Sequence, residues 1–332
     1  LSIRRQRQMC IRDRTKPIMS VAIMQLVERG KLNLADNAAD YYPPLKKLRV
    51  IKDLTTGIYG PTVSAKQPIT ILQLLTHTSG LSHGLEETLF DQQLFKLMYN
   101  ELFDPAEYDN LSERVNKLML VPLIGQPGEQ WYYSAAPDIL ALILEKITGQ
   151  STETYLKENI FDPLSMNETG YNVGLEQQQR IMQVHFNLED GTLVNSHVQV
   201  PTTGNTVYGG THGLFSSTED FLKFCQMILN KGSFNDQRIL KKETVELMTK
   251  NHVGELVGPG RGFGLGFGVL YDTDKDLSPA NTGQIYWGGY FKTHFFIDPK
   301  EDLIGIIMTQ KIPNTDEYII ELNRAVYGAL SF

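Results

Sequence analysis

The sequence has few of the features that mark membrane-spanning, disulfide-bonded or nucleic-acid-binding proteins. Its two cysteines, Cys10 and Cys225, are too far apart in sequence to suggest a disulfide framework or the ligand spacing of a metal site. The longest apolar runs, such as Ile304 to Met308, are far too short to cross a bilayer. The net charge of −7 argues against nucleic acid as a partner, because phosphate binding needs a basic face.

Two serine-nucleophile patterns are also missing. The chain has no Gly-x-Ser-x-Gly elbow, and no serine is followed by lysine three residues later. What remains is a chain of 332 residues with 41% apolar and 21% charged residues, which is ordinary for a soluble globular enzyme. That length allows either one large domain or two lobes with a sizeable core.

The first fourteen residues differ in composition from the remainder. They hold five of the 31 basic residues and one of the 38 acidic ones, so residues 15–332 carry a net charge of −11. Residues 4–13 are also the translation of CGT CGG CAG CGT CAG ATG TGT ATA AGA GAC, which resembles a transposon adapter used for sequencing libraries. We therefore interpret residues 1–14 as an adapter-derived scar that replaced native sequence. This interpretation predicts poor packing of residues 1–14, with genuine sequence starting near Thr15.

Hydrophobic periodicity and capping signals place helices and strands along the chain. Residues 86–120 look largely helical, and residues 185–200 alternate like a hairpin. Further helices are predicted at Thr15–Gly30, Ile69–Leu75, Pro137–Ile147, Thr152–Ile160, Ser217–Leu229 and Asp316–Leu330. Strands are predicted at Phe263–Tyr271, Ile285–Trp287, Thr293–Ile297 and Leu303–Thr309. This order predicts an α/β (α+β) fold, with an antiparallel sheet flanked by helices and an adjoining all-helical lobe at roughly residues 76–184.

Five local patterns occur in an order that is typical of one enzyme family. They are Thr15-Lys16-Pro17 opening an apolar helix, His77-Thr78-Ser79-Gly80-Leu81, Trp131-Tyr132-Tyr133-Ser134, Gly209-Gly210 to Asp220, and Trp287-Gly288-Gly289. Together they resemble the serine β-lactamase-like and penicillin-binding-protein superfamily, in particular class C β-lactamases and family VIII-type esterases. The resemblance spans residues 15–332 as a single domain and implies a β-lactamase/transpeptidase-like fold. It also implies hydrolysis of an ester or amide through an acyl-serine intermediate.

The resemblance assigns the catalytic base of the Ser-x-x-Lys motif to Lys16. Residues three apart lie on one helical face, and a helix N-terminus favours a developing anion. The serine should stand at position 13, where the chain has Asp13. We interpret the nucleophile as absent and not relocated, so this chain is predicted to be inactive. The alternative for Lys16 alone is a surface lysine at a helix start.

The resemblance assigns a second base to Tyr133, which matches the family's catalytic tyrosine. Ala135 stands where many relatives carry asparagine, and this departure favours an esterase over a lactamase or peptidase. The alternative is that Tyr132 or Tyr133 is a core aromatic residue.

Trp287, Gly288, Gly289 and Tyr290 are predicted to form a third wall, with a main-chain N–H near Tyr290 donating to the oxyanion beside the N–H of residue 13. The alternative is an edge strand with a glycine bulge. His294 is a further candidate for a polar contact with the substrate, or else a structural histidine.

No metal or organic cofactor is predicted. His77 and His83 lack the carboxylate or cysteine partners of a zinc site, and His77–Gly80 is better interpreted as a hydrogen-bonded turn. The predicted partner is a small ester, amide or peptide substrate, and the sequence sets no oligomeric state. A catalytically silent ligand-binding member of the fold, a D-Ala-D-Ala peptidase and a β-lactamase stay open as alternatives to an esterase.

Overall fold

A computed structural model of the chain describes residues 7–101, 104–105, 108–198, 200–276, 278–312 and 316–330. The chain divides into two compact units. The first unit contains Leu1–Ile18, Leu156–Asn205 and His212–Phe332, and the second contains Met19–Tyr155 and Thr206–Thr211. In the described part of the chain, no helix is both long and apolar enough to span a membrane.

Several helices begin after a residue whose side chain caps the first turn. Their bounds are α1 Thr15–Glu28, α2 Ala38–Tyr41, α3 Ile71–Leu75, α4 Leu89–Met98, α5 Leu111–Leu118, α6 Ala136–Thr148, α7 Thr152–Leu156, α8 Leu175–Gln178, α9 Thr218–Leu229, α10 Lys242–Met248, α11 Thr273–Asp276 and α12 Glu317–Leu330. Short 3-10 turns lie at Arg12–Arg14, Pro43–Lys47 and Leu54–Thr56, and a π-helical turn lies at Lys157–Phe161. As predicted, Ser217 caps α9 by accepting a hydrogen bond from the Asp220 amide, and Gly149 ends α6 in the left-handed conformation.

The strands are short. Their bounds are β1 Met9–Cys10, β2 Arg49–Ile51, β3 Thr62–Ser64, β4 Tyr99–Glu101, β5 Asp104–Pro105, β6 His185–Asn187, β7 Leu193–Asn195, β8 Phe215–Ser216, β9 Ser233–Phe234, β10 Gln237–Arg238, β11 Arg261–Phe263, β12 Gly268–Leu270, β13 Ile285–Gly288, β14 His294–Asp298, β15 Leu303–Ile307 and β16 Lys311–Ile312. The hairpin expected at residues 185–200 is formed by β6 and β7.

The first unit is built around a five-stranded antiparallel sheet in the order β11-β12-β13-β14-β15. Alternate residues of β14 face opposite helices, as the two-residue period of a strand requires. The Phe295 ring centroid lies 5.1 Å from that of Phe221 on α9. The Phe296 ring centroid lies 5.9 Å from that of Tyr327 on α12. The predicted antiparallel sheet flanked by helices is therefore confirmed.

The second unit is mainly helical. Helix α6 is buried along most of its length, which follows from its nearly continuous apolar sequence. One cluster of its core draws on α4, α5 and the loops around them: Ile51, Ile58, Phe90, Leu94, Met98, Tyr99, Leu118, Val121, Ile124 and Ala135. The predicted lobe at 76–184 extends past this unit, because residues 156–184 belong to the first. The unit is also not all-helical, since β2 pairs with β3 and β4 with β5.

Two predicted elements are interrupted. The strand expected at Phe263–Tyr271 is two antiparallel strands, because the chain turns back between β11 and β12 with Gly266 at a φ of 91°. The largely helical segment expected at 86–120 consists of α4 and α5 separated by the β4–β5 pair.

The prediction that residues 1–14 pack poorly is wrong for residues 8–14; residues 1–6 lie outside the described part. Strand β1 pairs with β8, and Ile11 N donates to Leu214 O at 2.9 Å. Cys10 and Ile11 are almost fully buried. The physical reason is that strand pairing uses backbone groups, which every residue carries, while these apolar side chains fill core positions. The adapter-derived origin of the segment stays a prediction.

Candidate active site

The start of α1 brings Asp13 and Lys16 together. The 3-10 turn Arg12–Arg14 runs directly into α1, so the two side chains share one helical face. Lys16 Nζ donates to Asp13 Oδ1 at 2.7 Å, and the Lys16 side chain is only 2% exposed. The surface alternative for Lys16 is therefore excluded, and the two side chains share one helical face as their spacing predicts.

The same carboxylate binds the main chain beyond β13. The Tyr290 amide donates to Asp13 Oδ2 at 2.9 Å. The backbone there is fixed by a tight turn, in which Gly289 N donates to Thr293 O at 2.7 Å and Lys292 N to Gly289 O at 2.8 Å. An ammonium group and a backbone N–H therefore converge on the two oxygens of one buried anion.

Gly289 allows this approach. A Cβ atom at position 289 would lie 2.8 Å from Ile11 O and 2.3 Å from Thr293 Oγ1. Any side chain would therefore force the strand end away from residues 11–13. Gly288 is different, since a Cβ there would meet its nearest atom, Thr293 O, at an ordinary 3.5 Å. The close approach of the two backbone segments thus depends on the second of the two glycines.

Arg14, the residue that follows the predicted nucleophile position, is fully buried. Its guanidinium lies 4.7 Å from the ring centroid of Phe221 and 5.6 Å from that of Phe295, and Nη2 donates to Ile307 O at 2.9 Å. Nε and Nη1 have no hydrogen-bond partner among the described residues. Desolvation lowers the pKa of Arg14 to about 9. The packing around this side chain suits an apolar residue better than a cation.

His294 lies on β14 in the same unit and is 5% exposed. Desolvation, followed by the positive charge of Arg14, lowers the pKa of His294 to about 3. The ring is therefore neutral at physiological pH. This burial favours the structural alternative for His294 over a contact with substrate.

Tyr133 belongs to the second unit, where aromatic rings surround it. The ring centroid of His77 lies 5.2 Å from that of Tyr133, and the ring of His83 stacks on Tyr133 at 5.5 Å with 21° between the planes. His77 Nδ1 and Ser134 Oγ are 2.8 Å apart in the buried interior. These contacts give Tyr133 a defined position.

The His77–Gly80 turn supports this group through backbone hydrogen bonds. Tyr132 N donates to His77 O at 2.9 Å, and Gly128 N donates to Thr78 O at 2.7 Å. Gly80 is needed because its φ is 80° and a Cβ atom there would lie 2.1 Å from Gly125 O. These backbone hydrogen bonds form the turn that the sequence predicts at His77–Gly80. The rings of His77 and His83 both pack against the ring of Tyr133.

The structure thus assembles the predicted site residues in two groups. Asp13, Lys16 and the strand end at Trp287–Tyr290 form one group in the first unit. Tyr133 lies in the second unit with His77 and His83. The meeting of Tyr133 with Lys16 stays a prediction.

One feature of the second unit gives no signal in the sequence. Arg114 Nε on α5 lies 2.8 Å from Asp138 Oδ2 on α6, with both side chains nearly inaccessible. Asp138 Oδ1 also accepts from the Thr211 amide at 2.8 Å. Arg114 and Asp138 are 24 positions apart on different helices, so no local pattern pairs them.

Comparison with known proteins assigns the family. The family described as Beta-lactamase matches residues 4–327. The chain belongs to the β-lactamase family. The match begins at residue 4, so it includes most of the segment that the sequence analysis set apart. Membership confirms the predicted serine hydrolase of the β-lactamase-related group.

Individual relatives and one solved structure are similar to the chain over most of its length. Protein Rv1367c of Mycobacterium tuberculosis is 32% identical over 92% of this chain and 77% of its own length. Esterase EstB of Burkholderia gladioli is 27% identical over 89% of this chain and 75% of its own length. Among solved structures, EstCE1, a hydrolase with promiscuous acyltransferase activity, superposes with a TM-score of 0.80 over 98% of this chain and 86% of its own, at 23% identity. The last similarity confirms the β-lactamase/transpeptidase-like fold.

Proposed function

We propose that the protein has the framework of a serine esterase that acts through an acyl-enzyme formed at position 13. The relatives named as esterases favour an ester over a lactam or a peptide as the substrate. Ala135 supports the same choice, because it lacks the amide with which an asparagine would contact a peptide or lactam carbonyl. The chain with Asp13 is the catalytically silent form of this enzyme.

The observation that carries the proposal is the double contact of Asp13. Its carboxylate accepts a hydrogen bond from the Lys16 ammonium at 2.7 Å and another from the Tyr290 amide at 2.9 Å. A serine hydroxyl at position 13 would lie beside the same lysine, which would take its proton. The Tyr290 N–H would then be free to donate to the oxyanion of the tetrahedral intermediate.

Lys16 and Tyr133 are the proposed bases. Lys16 is buried at a helix start, where desolvation favours the neutral amine once no anion lies beside it. Tyr133 is proposed to relay the proton to the leaving group. The N–H of residue 13 is the proposed second oxyanion donor.

Asp13 silences the site in three ways. It removes the hydroxyl that forms the acyl ester, and its negative charge keeps Lys16 protonated. Its carboxylate also holds the Tyr290 amide that would bind the oxyanion. A ligand-binding role without catalysis is the second candidate for the chain as it stands, and Asp13 is the observation that favours it.

The test compares Asp13→Ser/Arg14→Met with Asp13→Ala/Arg14→Met, so that only the nucleophile differs. Turnover of a short-chain p-nitrophenyl ester is measured beside that of a chromogenic cephalosporin and a D-Ala-D-Ala dipeptide. The serine variant is expected to hydrolyse the ester faster by on the order of 10³-fold or more. Equal ester turnover by the two variants would refute an acyl-enzyme at position 13. Preference for the cephalosporin or the dipeptide would replace the esterase assignment with a β-lactamase or a peptidase.

A further inference from the structure

The second unit contains a pocket of about 430 Å³, a volume within the range of small-molecule sites. The 3-10 turn Pro43–Lys47, the paired strands β2 and β3, and the segment 64–69 supply most of its lining. None of the residues placed in the candidate active site lines it.

The pocket combines an apolar interior with a cationic rim. Leu45, Leu48 and Ile69, which are 6%, 8% and 5% exposed, contribute the apolar part. Four cationic side chains line it as well: Lys46, Lys47, Arg49 and Lys66. No aspartate or glutamate is among the lining residues. In a chain with a net charge of −7, this is a local reversal of charge.

Nearby carboxylates neutralise only part of this charge. Lys66 pairs with Glu129, and Lys46 Nζ lies 3.8 Å from Asp40 Oδ1, both in exposed positions. Lys47 and Arg49 have no carboxylate within ion-pair distance in the described part of the chain. Two cations therefore remain for an anion from solution.

Arg49 is held in a fixed orientation. Its Nε donates to Thr62 Oγ1 at 2.8 Å and its Nη1 to Ser64 Oγ at 3.2 Å, with a longer contact from Nη2 to Thr62 O. The acceptors are neutral oxygens, and these bonds use three of the five N–H donors of the guanidinium. The planar group thus keeps its full charge and two donors, and little side-chain entropy remains to be lost on binding.

We propose that this pocket binds a small amphiphilic anion, with an apolar body against Leu45, Leu48 and Ile69 and a carboxylate or similar acidic group at Lys47 and Arg49. The apolar interior distinguishes this ligand from inorganic anions, and the rim distinguishes it from neutral lipophilic molecules. This inference is independent of the proposed function, because none of the candidate catalytic residues lines the pocket.

Titration calorimetry of the full chain with octanoate tests the proposal at low ionic strength. Octanol supplies the same apolar body without charge, and acetate supplies the charge without the body. The variant is Lys47→Gln/Arg49→Gln. The matched control is Lys31→Gln/Lys96→Gln, which removes the same charge at exposed positions of the same unit. Thermal melting of both variants monitors the fold.

Octanoate is expected to bind more tightly than octanol or acetate and to weaken as salt is added. The Lys47→Gln/Arg49→Gln variant should weaken octanoate binding about tenfold or more, while the control stays within about twofold of the unmodified chain. The proposal is overturned if octanoate does not bind, if octanol binds equally well, or if both variants lose affinity alike. If the Lys47→Gln/Arg49→Gln variant melts early, the single variant Lys47→Gln is used, for which about a threefold loss is expected.

Discussion

Arg14 in the first unit and Arg114 in the second are both buried, yet their surroundings differ in one respect. Arg114 lies 2.8 Å from the carboxylate of Asp138, which is itself fixed by the Thr211 amide. Arg14 lies between two phenylalanine rings and donates one hydrogen bond to a carbonyl, with no carboxylate at ion-pair distance in the described part of the chain. Burial makes the charged form of both costly and is the largest influence on the pKa of Arg114. The charge and hydrogen bond of Asp138, together with Tyr99 and Tyr108, outweigh it, so that the pKa of Arg114 is raised.

The presence or absence of a carboxylate partner shows whether a buried arginine is matched to its surroundings. A buried cation is tolerated when a carboxylate and further hydrogen bonds accompany it. Arg114 meets this condition, and Arg14 does not. At position 13 a carboxylate likewise stands where a serine is expected. Asp13 nevertheless has hydrogen-bond partners for both carboxylate oxygens. Only Arg14 lacks a matching partner, which agrees with the adapter-derived interpretation of residues 1–14, although the segment packs well.

The largest effect on stability is expected from breaking the matched pair. Asp138→Ala should lower the free energy of unfolding by about 3–5 kcal/mol, because it leaves Arg114 buried and unpaired. Glu129→Ala, which breaks the exposed Lys66–Glu129 pair in the same unit, should change it by less than about 1 kcal/mol. Urea denaturation measures both. Similar losses for the two variants would mean that burial does not determine how much an ion pair contributes to the free energy of unfolding.

The converse change is expected to stabilise the protein. Arg14→Met should raise the free energy of unfolding by about 1–4 kcal/mol, because it replaces an unpaired buried cation with an apolar side chain of similar length. Arg114→Met, the matched control, should lower it, because Asp138 then becomes the unpaired charge. The same denaturation experiment decides the comparison. If both methionine variants lose stability equally, Arg14 suits its site as well as Arg114 does.

A further effect, confined to acidic conditions, is expected at His294. Its pKa is about 3 in the folded protein, well below the ordinary value of 6.5, so the unfolded chain binds a proton between these values and the folded chain does not. Stability should therefore fall as pH decreases from 6.5 towards 3, by up to about 1.4 kcal/mol per pH unit from this group. His294→Gln should remove that part of the slope.

The neighbours of His294 sharpen this test. The positive charges of Arg14 and Lys292 lower the pKa of His294, while Asp316 raises it. Arg14→Met should therefore narrow the pH range over which His294 costs stability and reduce the total acid loss, because the His294 pKa rises towards its ordinary value. If the free energy of unfolding depends on acidic pH in the same way in His294→Gln, Arg14→Met and the unmodified chain, His294 does not cause the loss of stability.

Much of the fold follows from local sequence signals. The apolar periodicity of α1 and α6, the capping of α9 by Ser217 and the alternation in β14 each lie within one segment, so the sequence predicts them. The strand predicted at Phe263–Tyr271 was too long because a glycine turn interrupts an apolar run without changing its hydrophobicity. The packing of Met9–Ile11 against β8 was missed because it depends on backbone partners far away in the chain.

The candidate site divides in the same way. The motif spacing predicts that Asp13 and Lys16 share a helical face, and the structure gives their contact. The close approach of Gly289 to Ile11 O was not predicted, since the two residues are 278 positions apart in the chain. The misfit of Arg14 had no local signal at all, because burial of residue 14 depends on Phe221 and Phe295.

The central claim is that the acyl-enzyme forms at position 13. The most direct test is to identify the residue to which a phosphonylating reagent attaches. Asp13→Ser/Arg14→Met is treated with a fluorophosphonate and digested, and the modified peptide is identified by mass spectrometry, with Asp13→Ala/Arg14→Met and the unmodified chain as controls. We predict a single adduct on residue 13 of the serine variant, no adduct at that position in the controls, and much slower labelling when Lys16→Met is added. An adduct on any other serine, or ester hydrolysis by the serine variant without labelling at residue 13, would contradict the account.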